Sequence, residues 1–580
     1  MIGCVKVVQH ETSSPSPATG AAEPLAQPGN AWIARASSPV QTATSGPLAG
    51  LSFAAKDNID AAGFATTAAC PAFAYQPAQN ASVVQRLLDA GAALHGKTNL
   101  DQFACGLNGT RSPYGPVPNA IDPAYVSGGS SSGSAYVVAT GQVDFALGTD
   151  TAGSGRVPAG LNNIVGIKPS KGLISTHGVV PAAQSVDCVS IFARTVDVAA
   201  RVLAVAQGYD AQDPYARRLP MATTPLPAAF RFGVPAPLEF HGDALAADAF
   251  AQAIERLRAQ GGTPVEIDYA PLAGAAALLY ESALVAERYA AVRPFVDAHA
   301  DQIVEPVRGI LLAGKGYSAA DLVDAQTQLR AFGQQAAALW DGIDVLLVPT
   351  APTHYTVAQM LADPVVLNRN LGAYTNFVNL LDYAAISVPS SLRPDGLPFG
   401  ITLIGPCGSD WQLADLGQRY HHATGLALGA TGAPLPPPAP IAALRPAATV
   451  DVVVVGAHLS GLPLNGQLTE RGAVLLRAGE TVPDYRLFAL PGTVPPKPGL
   501  LRVAPGQGAR IAVEVWRMPA TAYGSFVALI PPPLGIGTLQ LADGSALQGF
   551  VCEPLALEGA QDITHFGGWR AFLQARATAT

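Results

Sequence analysis

Between Pro434 and Pro440 five of seven residues are proline. Proline fixes φ and carries no N–H, so such a run neither continues a helix nor sits inside a sheet. The surrounding stretch, "LGATGAPLPPPAPIAALRPAATV", predicts an extended, semi-rigid linker over residues 428–449 that separates two domains. Patterning differs on its two sides. In residues 31–427, "SVVQRLLDAGAAL" has the period of an amphipathic helix, "DAFAQAIERLRAQGG" reads as a helix closed by glycine, and "DVLLVP" and "AISVP" read as short buried strands. Strands alternating with helices predict an α/β domain, a sheet between helical layers. In residues 450–580 the runs "VDVVVVGAHL", "LLRVAPG", "ARIAVEVWRMP" and "GTLQLADGSALQGFVCEP" predict a smaller, mostly β domain, with a hairpin turn at Asp543 and Gly544.

Residues 1–30 lack a usable apolar period and are rich in Ser, Pro, Ala and Gly, which predicts a flexible arm. Hydrophobic residues make up 49% of the chain and charged ones 13%, the balance of a folded enzyme rather than a disordered chain. The net charge of −8 and the lack of any Lys/Arg-rich run argue against nucleic acid as a partner. No uninterrupted apolar run is long enough to span a membrane, and the first residues turn polar too soon for a secretory segment, so a cytoplasmic protein is expected. Six cysteines lie far apart without a CxxC pair, a pattern of reduced thiols rather than of disulfides or a zinc site.

Chemistry concentrates in two small-residue loops. "VSGGSSSGSAYVV", Val126 to Val138, holds three glycines and five serines. A phosphate cradle would need a lysine after Gly133, and none follows. A swinging spacer is incompatible with the apolar run that the loop enters. Twenty-four residues beyond Ser130, Ser154 stands in "GTDTAGSGRVPAG", where small residues leave main-chain amides uncovered beside a hydroxyl. Such amides can receive the charge that develops on an attacked carbonyl oxygen. Upstream, Lys56 in "GLSFAAKDNID" follows an apolar run at the end of an expected strand; burial there disfavours its charged form and makes it a candidate base.

The ordered set "AAKDNID", "GKTNLDQFACG", "GGSSSGSA", "ALGTDTAGSGRVPA", "GIKPSKG" and "GLPFGITLIGP" resembles the amidase signature family over about residues 45–425. The resemblance implies a central mixed sheet covered by helices on both faces. It also implies a Ser-cisSer-Lys triad of Ser154 as nucleophile, Ser130 as relay and Lys56 as base, with a non-proline cis peptide before Ser130. An oxyanion hole would come from the main-chain N–H groups of Thr151, Ala152, Gly153 and Ser154. No metal or organic cofactor is implied. Asp150 and Arg156, flanking Ser154, are read as holding the loop, by a charge pair or by hydrogen bonds behind it, and His95 and His177 as ordinary polar residues.

The helix-like run "LLYESALVAERYAAV" sets Tyr280 and Arg288 eight residues apart, about 80° past two full turns, so that long side chains could converge. Arg288 taken alone reads more readily as a solvated helix charge than as a substrate contact. Within the amidase signature family, however, the run resembles the "Y…VAER" pattern of allophanate hydrolases, which implies that Tyr280 and Arg288 grip the carboxylate of allophanate. The usual Gly-Pro-Trp before "VAER" is Ser282 to Leu284 in this chain. Residues 450–575 resemble the γ-glutamylcyclotransferase-like domain appended to those enzymes, which implies a decarboxylating role for His458 of "GAHL" or a role in assembly. The resemblance thus implies hydrolysis of allophanate to ammonia and N-carboxycarbamate, which breaks down to ammonia and carbon dioxide, by a homo-oligomer, a dimer or larger, that could associate with the enzyme supplying allophanate. The rivals are another amidase or a glutaminase-type component, and an inactive assembly protein of a urea-degrading complex; the latter is disfavoured by an intact set of triad residues.

Overall fold

The computed structural model describes residues 30–445 and 448–578. The arm expected over residues 1–30 lies, up to residue 29, outside the described residues. The chain forms two compact units that divide after Arg445.

The first unit is built on one eleven-stranded sheet. Its strands, in chain order, are β1 (Trp32–Val40), β2 (Ser52–Lys56), β3 (Ala93–Thr98), β4 (Phe145–Asp150), β5 (Val165–Lys168), β6 (Cys188–Ala193), β7 (Phe230–Ala236), β8 (Gly262–Asp268), β9 (Val345–Pro349), β10 (Ala384–Leu392) and β11 (Pro398–Gly405). They lie in the order β1-β3-β2-β4-β6-β5-β10-β11-β9-β7-β8. Pairing is mixed: β2 runs parallel to β3 and β4, and β7 to β8 and β9, while β4 with β6 and β10 with β11 are antiparallel.

Both faces of the sheet are apolar, as the near-continuous hydrophobic strands require. Phe53 and Ala55 of β2 and Phe145 and Leu147 of β4 enter one core with the helices Ser82–Asp89, Val196–Ala206, Ala244–Arg258 and Asp410–Thr424. The alternate residues Ala54 and Ala146 enter another, with the helix Ser132–Ala139. The period-two alternation of strand side chains produces this split. A third core joins Leu346 and Val348 of β9 to the helix Ala270–Glu281.

The sheet positions the site through one pairing. Because β2 and β4 are parallel and in register at Ala55 and Leu147, their C-terminal ends emerge side by side, which brings Lys56 next to Thr149 and Asp150. The serine-rich stretch is fixed on top of them. Ser131 Oγ donates to Thr149 O at 3.1 Å and Ser134 Oγ to Leu147 O at 2.9 Å. Gly133 sits so close to the β1–β3 edge that a Cβ there would lie 2.3 Å from Ala31 O.

The stretch expected to be an extended linker instead lies along the first unit as far as Arg445. Ala430 N donates to Ala139 O at 2.9 Å and Arg445 N to Thr223 O at 2.8 Å, while Ile441 and Leu444 pack on the first core. Proline keeps this segment extended, but its interspersed Leu, Ile and Ala gain by covering apolar surface.

The second unit has a five-stranded sheet, in the order Val474–Glu480, Ala512–Pro519, Thr449–Val454, Ala546–Cys552, Leu534–Gln540, and a three-stranded sheet of Pro498–Arg502, Tyr485–Ala489 and Gln561–Asp562. The Asp543-Gly544 turn closes the antiparallel pair Leu534–Gln540 and Ala546–Cys552, with Gly544 at φ +85°. Among the described residues no helix is long and apolar enough to cross a membrane.

Candidate active site

Lys56 ends β2 fully buried. Its Nζ lies 2.7 Å from Ser130 Oγ and 2.7 Å from Thr149 Oγ1. Burial pulls the amine down from its ordinary value to about 7, against the opposing fields of Asp101, Asp187 and Asp150. No carboxylate reaches ion-pair distance of it among the described residues, so desolvation dominates. The Gly129–Ser130 peptide is cis, and Ser130 O accepts from Asp101 N at 3.1 Å. Asp101 in turn takes the amides of Asn108, Gly109 and Arg111 on its carboxylate, which ties the segment 106–111 to the serine loop.

β4 ends at Asp150, and residues 151–156 loop back to start the short helix Val157–Leu161. Asp150 and Arg156, both fully buried, form a two-pronged pair at 2.9 Å for each contact. Burial alone would raise the Asp150 carboxyl, but Arg156 and the loop amides hold it below the ordinary range. Arg156 also donates to Thr375 O at 3.1 Å and Asn379 Oδ1 at 3.1 Å. These contacts fasten the loop as expected of the pair, with one correction to the expected oxyanion hole. The N–H of Gly153 donates to Asp150 Oδ1 at 2.9 Å, as that of Gly155 does to Oδ2, so Gly153 has no free amide to offer. Among the described residues, the amides of Thr151, Ala152 and Ser154 donate to no protein acceptor. Ser154, 2% exposed, directs its hydroxyl to Gly106 O at 3.4 Å rather than to Ser130.

Tyr280 and Arg288 meet, but not as two turns of one helix. The helix Ala270–Glu281 stops at Ser282, whose backbone is extended at φ −138°, and a 3-10 turn, Ala283–Val285, leads into the helix Ala286–His299. Ser282 makes the break: its Oγ donates to Leu278 O at 2.6 Å and accepts from Leu284 N at 3.2 Å, an N-cap inside what reads as one helical run. Arg288 then lies over the Tyr280 ring, 5.1 Å from its centre, and donates to its hydroxyl at 3.3 Å. Arg288 is 2% exposed, and its Nε and one terminal nitrogen have no hydrogen-bond partner. It is therefore no solvated surface charge, and its free donors suit an anion. Asp187 supplies a nearby opposite charge; burial raises its carboxyl to about 6, against hydrogen bonds from Thr151, Ala182 and Ala183 and the field of Arg288. Beside Tyr280 lies a cavity of about 280 Å³ lined by Leu107, Arg111, Tyr280, Tyr317, Asn368 and Asn376, among others.

Residues 5–414 match the family model described as Amidase, and residues 450–574 that of the allophanate hydrolase C-terminal domain. The chain belongs to the amidase family. Among solved amidases it is 42% identical to the Kluyveromyces lactis allophanate hydrolase, with a TM-score of 0.72 over 91% of this chain and 88% of that one. It is 43% identical to the urea amidolyase of Saccharomyces cerevisiae over 91% of this chain, but spans only 30% of that relative's length. A glutamyl-tRNA(Gln) amidotransferase component from Thermotoga maritima matches at 28% identity and a TM-score of 0.59, over 68% of this chain and 87% of that one.

Of the amidase residues singled out from sequence, Lys56 and Ser130 are in direct contact, and Ser154 lies in the 151–156 loop with its hydroxyl on Gly106 O. Thr149, Asp101 and Asp187 were missed. Thr149 precedes Asp150 inside a motif already noted, whereas nothing in "SVDCVS" distinguishes Asp187 before the fold brings it to Thr151. Among the described residues, His95 on β3 and His177, which bonds Ser82 at 3.3 Å, make no side-chain hydrogen bond to Lys56, Ser130 or Ser154. In the second unit His458 follows the strand Thr449–Val454 and stacks on Phe550 with ring centres 4.8 Å apart. Its Nε2 lies 2.9 Å from Gln467 Oε1, and burial lowers its pKa below the ordinary value. It lines a cavity of about 230 Å³ that also holds Lys497.

Proposed function

We propose that this amidase hydrolyses allophanate, the anion in which a carbamoyl group and a carboxylate share one bridging N–H. Lys56, neutral for a large fraction of molecules near pH 7, takes the Ser130 proton while Ser130 takes that of Ser154. A turn about χ1 of Ser154, away from Gly106 O, completes the chain. Ser154 Oγ attacks the carbamoyl carbon, and the carbonyl oxygen gathers charge at the amides of Thr151, Ala152 and Ser154. When the C–N bond breaks, the proton held on Lys56 returns through Ser130 to the departing nitrogen, which leaves as ammonia. Water, activated by the same relay, then frees N-carboxycarbamate from Ser154.

The observation that carries the choice of substrate is Arg288: a buried guanidinium against Tyr280 with two nitrogens unpartnered. A carboxylate two bonds from the scissile carbonyl satisfies them, whereas a neutral amide leaves them unpaired. The likeness to an allophanate hydrolase over nearly the whole of both chains supports the same substrate. In the second unit, His458 beside Lys497 in one cavity suits a carboxylated product, and we assign decarboxylation of N-carboxycarbamate to it. A cytoplasmic homo-oligomer associated with the enzyme that makes allophanate completes the proposal; five unpaired cysteines among the described residues support the compartment, and the longer urea amidolyase relatives the association. The test is ammonia release by the purified full chain from allophanate, biuret, malonamate and an aliphatic amide. Allophanate should be used best; an aliphatic amide used equally well would contradict the proposal.

A further inference from the structure

With the carboxylate of allophanate at Arg288, its carbonyl oxygen at the loop amides and its leaving nitrogen at Ser130, one polar group is still without a partner: the bridging N–H. Leaving such a donor unpaired in a closed site carries its full desolvation cost. Several buried side-chain oxygens have no hydrogen-bond partner among the described residues, Asn376 Oδ1 among them, and of the residues that carry them Asn376 is the one that also lines the cavity beside Tyr280. Asn376 is 6% exposed.

Its place in the chain sets it directly after a residue that touches the 151–156 loop. The preceding residue, Thr375, accepts from Arg156 and packs so closely on the nucleophile loop that a Cβ on Gly153 would lie 2.4 Å from Thr375 Oγ1. Asn376 itself is among the residues that line the cavity with Tyr280. The carboxamide has room only because residue 372 is glycine: a Cβ at Gly372 would lie 2.5 Å from Asn376 Oδ1. Gly372 has an ordinary negative φ of −90°, so side-chain space, not backbone freedom, is what glycine supplies there.

We propose that Asn376 is a specificity-determining residue whose Oδ1 accepts the bridging N–H of allophanate; this rests on the substrate proposed above. Malonamate is the matched probe, because it keeps the carboxylate and the carbamoyl group and replaces the N–H by a methylene. In Asn376→Ala the ratio of kcat/KM on allophanate to that on malonamate should fall about tenfold relative to the parent, the worth of one buried hydrogen bond. Because both substrates are measured on one preparation, loss of folded protein cancels from the ratio. Gly372→Ala, which displaces the carboxamide without altering it, should lower the same ratio. A ratio within about twofold of the parent in both variants, with equal losses on the two substrates, would overturn the assignment. A parent enzyme inactive on allophanate would overturn the substrate itself, and that result is read before either variant is assayed.

Discussion

Lys56 Nζ lies 2.7 Å from Ser130 Oγ, in a fully buried setting where, among the described residues, no carboxylate reaches ion-pair distance of the amine. Desolvation brings its pKa to about 7. The protonated amine cannot accept a proton, so kcat/KM for ammonia release should fall tenfold for each pH unit below about 7 and level off above it. A profile flat between about pH 5.5 and 9 would show that Lys56 is not the base.

The same burial has a consequence for stability. The unfolded chain holds the Lys56 proton up to about pH 10.5, and the folded chain releases it near 7. Between these values the unfolded state binds more protons, so this residue's contribution improves as pH rises. In Lys56→Met the contribution is gone. The melting temperature of the inactive variant, relative to the parent, should therefore decline from about pH 7 to about pH 10; a constant difference would mean that Lys56 stays charged when folded.

Arg288 and Tyr280 should discriminate by charge. Arg288→Ala is expected to lower kcat/KM on allophanate about 100-fold or more and on a neutral aliphatic amide by no more than about threefold. Equal losses on both would leave the guanidinium a structural role only.

Asp150 and Arg156 are a buried pair in which each is the other's compensation. Asp150→Ala leaves a buried cation uncovered and frees the amides of Gly153 and Gly155, and should cost about 3–5 kcal/mol of the first unit's stability, read by chemical denaturation. A cost below about 1 kcal/mol would mean that the loop is held by other contacts.

The contact between Lys56 and Ser130 was legible because each sits in a short motif whose local chemistry is visible without the fold. The convergence of Tyr280 and Arg288 was legible in outcome but not in cause: one helix was expected, and the cap made by Ser282 ends it six residues before Arg288. The Gly153 amide was misjudged since small residues reveal exposed backbone but not which acceptor will claim it. Asp187 and Thr375 lie far along the chain from their neighbours, and only the fold brings them to the 151–156 loop. The proline run separated two differently patterned units, yet the segment lies against the first unit because its apolar residues outweigh its stiffness.

Ser154→Ala tests the central claim most directly. With circular dichroism unchanged, ammonia release from allophanate should fall by at least about 10⁴-fold; turnover within about tenfold of the parent would remove Ser154 as the nucleophile.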